Sequence, residues 1–171
     1  MAETPADKNL KYQVFISFKN TDASGKNTID AVMAEEIYDY FTKNGIKVFF
    51  SKVTLANLGT SEYQKQIYDA LDAAEILVIV ATKSEHVNSK WVEKEWMAFD
   101  NEINSKRKPN GKIFNYISDV NMNEISVSLR NTQTIYHTGP ESIEKLFQFI
   151  NNGLSNSKSI LKETQAKPLN K

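Results

Sequence analysis

The chain has 171 residues, 40% of them hydrophobic and 25% charged, enough for one globular domain with a single sizeable core. Lysine plus arginine balance aspartate plus glutamate at 21 each, so no overall field favours nucleic acid or an anionic membrane as partner. Cysteine is absent, which excludes disulfides, thiol catalysis and thiolate metal sites and suits a cytoplasmic protein.

Residues 1–11 are polar and lack the apolar segment of a signal peptide, so they are expected to form a loose arm. No apolar run approaches the roughly 18–20 residues of a membrane span. YQVFISF (12–18) is a compact β-rich run, followed by the turn-forming stretch KNTDASGKN. From Thr28 the period becomes helical, with Ile29, Val32, Met33, Ile37, Tyr40 and Phe41 as the apolar positions and Asn44-Gly45 as the stop. IKVFF (46–50) reads as a second buried strand. Its loop, 51–60, leads to Ser61 and Gln64, a capping-box pair opening a helix that carries Tyr63, Ile67, Ala70, Leu71 and Ala74 on one face.

EILVIVA (75–81) is the most apolar stretch, a strand expected to be buried on both faces. The loop TKSEHVN precedes a helix with Ser89 at its cap, and KRKPNGK ends that helix. KIFNYI (112–117) makes a fourth strand, a polar connection follows, and TIYHT (134–138) is a short fifth strand. Pro140 starts a last helix with Ile143, Leu146, Phe147 and Ile150 as its stripe and Asn152-Gly153 as its expected stop. The domain therefore spans 12–153, and 154–171 is expected to be a disordered polar tail. Continuously apolar strands alternating with helices predict a flavodoxin-like, doubly wound parallel sheet of five strands in the order 2-1-3-4-5. Ligands of such sheets bind beyond the carboxyl ends of the strands, where the order reverses, which singles out the loops at 19–27, 51–60 and 82–88.

The helix beginning at Ser89 contains SKWVEKEW (89–96), two tryptophans and two glutamates within eight residues. At about 100° per residue, Val92, Trp96, Phe99 and Ile103 share one stripe, the core face. Trp91, Glu95, Ala98 and Glu102 form the neighbouring stripe, while Glu93 and Lys94 point elsewhere. Trp91 is thus expected at the edge of the core one turn before Glu95, a carboxylate either placed to meet a ligand or simply at the boundary. Other signals are weaker. GKNT (25–28) is not a phosphate-binding P-loop, since Asn27 separates Lys26 from Thr28 and Asn20 stands where the first glycine belongs. Ala81-Thr82 ends the third strand where a response-regulator receiver needs aspartate, and TDASGKNT is only a faint match to a flavin phosphate loop. His86 reads as a solvated loop histidine that could approach a ligand, His137 as structural, and Tyr38, Tyr40, Tyr63 and Tyr68 as packing residues.

Several of these segments resemble one family in register. YQVFISF with KNTD resembles the first box of TIR (Toll/interleukin-1 receptor) domains, and GIKVFFSKVTLANLG resembles their second strand and its loop. ILVIVATKS is similar to their third strand, and SKWVEKE to the S-x-W-x-x-x-E box of TIR domains that cleave NAD. The resemblance covers about 12–150, including the final PESIEKLFQFI helix. It implies hydrolysis or cyclisation of NAD with release of nicotinamide, Glu95 being the catalytic glutamate and Trp91 its neighbouring aromatic. It further implies that Phe18, Lys19, Asn20 and Ser51 line the substrate pocket, with no metal and no bound redox cofactor because NAD is consumed. Only Lys19 is basic where some members carry two basic residues, so phosphate contacts are expected to differ. The resemblance also implies self-association through loop 51–60, with Leu55, Leu58 and Gly59 as contacts, and a nucleotide product read by a separate effector in antiviral defence, or NAD depletion or action in a host. A non-enzymatic TIR module acting by homotypic assembly is the alternative.

Overall fold

The computed structural model describes residues 12–50 and 60–166. Five strands, β1 (Val14–Phe18), β2 (Val48–Phe49), β3 (Ile76–Ala81), β4 (Lys112–Ile117) and β5 (Gln133–Tyr136), form one sheet in the order β2-β1-β3-β4-β5. Every pairing is parallel, with Ser17 opposite Ile79 and Phe18 opposite Val80 across the central pair. Among the described residues, six helices connect or follow them: α1 (Ile29–Lys43), α2 (Thr60–Ala73), α3 (Ser84–Val87), α4 (Lys90–Asn104), α5 (Val127–Arg130) and α6 (Pro140–Ala166). The expected doubly wound, flavodoxin-like fold is the one observed.

Strand side chains alternate between the two faces of the sheet, and that alternation sorts the core into two halves. Val14, Ile16, Phe18, Val78, Val80, Phe114 and Tyr116 pack with α1 and α6. Phe15, Leu77, Ile79, Ala81, Ile113 and Ile117 pack with α2 and α4. Ser17 falls on the α4 side, the one polar residue in the fully buried strand VFISF.

Several local expectations are corrected. Ile29 and Val32, placed on the apolar stripe of the first helix, are 67% and 54% exposed, because the buried face of α1 is carried by Ala31, Met33, Ala34, Ile37 and Phe41. The segment 84–87, read as loop, makes the helical turn α3, and the polar connection before β5 holds a 3₁₀ turn at Met122–Glu124 and the short α5. Asn152-Gly153 does not stop the last helix. The stripe Ile143, Leu146, Ile150 continues to Leu154, which is only 5% exposed. Burying a leucine contributes about 1.5–3 kcal/mol, against about 1 kcal/mol lost to a mid-helix glycine. The helix therefore runs to Ala166 through most of the segment expected to be a disordered tail.

Candidate functional site

The loop leaving β1 is built to hold one shape. Thr28, the N-cap of α1, accepts from the Ala31 N–H at 3.2 Å while its hydroxyl donates to the Lys19 carbonyl, and its own N–H donates to the Asn20 carbonyl at 3.0 Å. Within the loop, Asp22 Oδ1 accepts from the Ser24 N–H, the Ser24 hydroxyl and the Lys26 N–H at 2.8, 2.6 and 3.1 Å. Those bonds hold its carboxyl below the usual range, and Gly25 turns the chain at φ 81°. GKNT is therefore part of a tight turn that fixes where Lys19 and Asn20 stand.

A second anchor joins this loop to the one after β3. Asp30, fully buried in the first turn of α1, accepts from the Thr82 N–H at 3.0 Å and the Thr82 hydroxyl at 2.5 Å. Its other oxygen lies 2.7 Å from His86 Nδ1. His86 is buried and paired, not solvated as expected, because Asp30 offers an acceptor that the sequence spacing does not disclose. The His86 carbonyl in turn accepts from the Ser89 hydroxyl at 2.7 Å, immediately before α4. Ser89 thus caps α4 through its position and not through a side-chain bond to the helix.

The open pocket at this edge has a volume of about 310 Å³ and is lined by Phe18, Lys19, Asn20, Thr21, Tyr63, Ser89 and Trp91. Four expected pocket residues, Phe18, Lys19, Asn20 and Trp91, are thereby brought together. Phe18 is mostly core, stacked on Phe50 at 5.2 Å between ring centres. Trp91 is 39% exposed, with its ring centre 6.0 Å from that of Tyr63. Thr21, Tyr63 and Ser89 were not foreseen there; Ser89 stood in the S-x-W box and was read only as a cap. Ser51, Leu55, Leu58 and Gly59 lie outside the described residues.

Glu95 lies deeper than expected. It does not line that pocket but an adjoining narrow cavity of about 20 Å³ with Gln64, Ile67, Tyr68, Leu71, Lys94 and Trp91, the last being the wall shared by both. The helical angles hold: Val92, Trp96 and Phe99 are buried, and Glu93 is exposed. The depth was misjudged, since Glu95 is only 6% exposed. α2 covers it from one side through Ile67 and Leu71, and the sheet lies beneath it. Ser17 supplies its polar contact, the hydroxyl donating to Oε1 at 2.8 Å.

Burial raises the Glu95 carboxyl to about 8, with the Ser17 bond pulling the other way. The carboxyl is therefore held toward its protonated form, in contrast to the standing anion expected of a catalytic carboxylate. Among the described residues no group of three or more histidine, aspartate or glutamate side chains could hold a metal ion. No helix among them is long and apolar enough to cross a membrane.

Set against known families, residues 14–150 match a model described as the TIR domain. No curated protein matches the chain.

Proposed function

The chain belongs to the TIR domain family, which includes NAD-cleaving members and non-enzymatic adaptors, and from that premise we propose that it cleaves the nicotinamide–ribose bond of NAD. The observation that carries the proposal is Glu95: a carboxyl buried at the rim of the sheet, behind a half-exposed tryptophan, beside a pocket with room for part of a dinucleotide. Nothing in packing requires an acid at that position, where an apolar residue would cost less.

The chemistry needs one carboxylate. Nicotinamide is cationic in NAD and leaves neutral, taking the electron pair of the C–N bond, so no acid has to protonate the leaving group, in contrast to ordinary glycosidases. The ribosyl group becomes positive. Glu95, once ionised, stabilises that charge and accepts hydrogen bonds from the ribose hydroxyls in a water-poor site. A cation arriving beside it favours the ionised form, so substrate binding itself draws the proton off. Water then adds to the ribosyl carbon and releases a proton, or a group of the same nucleotide adds and closes a ring. Trp91 would offer the pyridinium a face worth about 0.5–2 kcal/mol, and Lys19, on the wall of the same pocket, would meet a phosphate. Loop 51–60 of a second copy would complete the pocket, and the product would serve as a signal for a separate effector, with antiviral defence as its setting.

The narrowness of the cavity at Glu95 favours a second reading, a non-enzymatic module working by self-association, since a protonated carboxyl behind Trp91 is also compatible with a site that never opens. Incubating the purified protein with NAD and resolving the products chromatographically separates the two. Nicotinamide appearing in step with loss of NAD supports cleavage. Intact NAD at every protein concentration, including the highest attainable, rules it out.

A further inference from the structure

Glutamate has three side-chain torsions and is easily mispositioned, so a carboxyl that works on a sugar must be fixed by something. Its surroundings offer little. β1, β3 and β4 present Phe15, Leu77, Ile79, Ala81, Ile113 and Ile117 to that side of the sheet. α3 contributes Val87 there, its His86 being taken by Asp30. The titratable groups at the cavity are Lys94 of the same helix and Tyr68 of α2, and Lys94 Nζ lies 5.6 Å from the centre of the Tyr68 ring. Gln64 of α2 also lines the cavity, but among the described residues the carboxyl's hydrogen bond is with the Ser17 hydroxyl, fully buried, with its strand position set by pairing to Ile79.

We propose that Ser17 is the positioning residue for Glu95, its hydroxyl pinning Oε1 so that Oε2 is the oxygen turned toward the cavity and the substrate. A serine hydroxyl that donates to a carboxylate stabilises the anion more than the neutral acid, because hydrogen bonds to charged groups are roughly twice as strong. Ser17 therefore holds the carboxyl in place and also eases its ionisation, opposing the burial that resists it. A serine in an otherwise apolar buried strand is then accounted for by its partner 78 positions along the chain. The inference rests on the NAD-cleaving reading only for its catalytic consequence, and its test is arranged accordingly.

The carboxyl carbons of glutamate are labelled with ¹³C and followed by NMR against pH in the unliganded protein, the Glu95 signal being assigned by its loss in Glu95→Gln. Ser17→Ala, which removes the donor, should move the Glu95 midpoint up by about one pH unit, and Ser17→Thr, which keeps the hydroxyl, should leave it near the wild-type value. Nicotinamide release by Ser17→Ala should fall about tenfold at neutral pH and recover in alkaline solution with KM nearly unchanged, a pattern that loss of packing alone does not give. The proposal is overturned if Ser17→Ala titrates like wild type, or if Ala and Thr move the midpoint equally. Should the midpoints move as expected while wild type releases no nicotinamide, the cleavage proposal falls and the Ser17–Glu95 coupling stands. Should nicotinamide be released while the midpoints coincide, Ser17 alone is refuted.

Discussion

Glu95 is a buried acid whose environment holds the proton on, and stability and rate should respond to pH in opposite senses. The folded carboxyl titrates at about 8 against 4.5 when exposed. Its favourable contribution to folding is complete below about 4.5 and is lost as pH rises through about 8, because the unfolded chain ionises first. Glu95→Gln, always neutral, should melt close to wild type near pH 4 and increasingly above it as pH approaches 9, read by thermal denaturation across that range. Under the proposed NAD cleavage, kcat/KM should rise with pH and level off above about 8; a profile flat between pH 6 and 9 would contradict an ionised Glu95 as the acting form. At this scale the helical angle of Glu95 was legible, since 100° steps from Ser89 separate it from Glu93. Its depth was not, because depth depends on how closely α2 and β1 approach α4. Ser17 was missed for the same reason: a lone polar residue in VFISF signals a buried partner without saying which.

Between elements, the N-terminal turn of α1 ties together the two loops that frame the pocket. Asp30→Ala would leave the Thr82 amide, the Thr82 hydroxyl and the His86 ring nitrogen without their acceptor, and should cost about 3 kcal/mol in chemical denaturation. The same variant should raise KM for NAD more than it lowers kcat, since it loosens the walls and leaves Glu95 and Ser17 untouched. At the other end of the chain, Leu154→Ala should cost about 2–3 kcal/mol, whereas a chain end outside the core would tolerate it. Apolar periodicity located β1, β3, β4, α1, α2, α4 and the start of α6. It overextended β2, which keeps only Val48–Phe49 of the five-residue run. It also ended α6 too early, because Gly153 is a stop signal only when nothing apolar follows at the right angle, and Leu154 does. The Asp30–His86 pair was invisible, joining residues 56 apart through tertiary packing alone.

For the whole molecule, the alternation of strands and helices pointed to the observed sheet order, because right-handed crossovers leave few ways to wind five parallel strands and 2-1-3-4-5 is one of the common ones. The sheet in turn brings the loops after β1 and β3 to one edge, as its topology requires. TIR domains commonly self-associate, and a chain with no net charge has little long-range repulsion to oppose it. Specific activity should therefore climb with protein concentration, and strict proportionality down to high dilution would show that one copy suffices. The most direct measurement compares nicotinamide release from NAD by wild type, Glu95→Gln and Glu93→Gln at matched concentration, with a melt recorded for each. Glu95→Gln should stay folded while release falls at least about a hundredfold, and Glu93→Gln, altered on the exposed face, should match wild type. Equal release by all three folded proteins would show that the carboxyl of Glu95 does not act on the sugar.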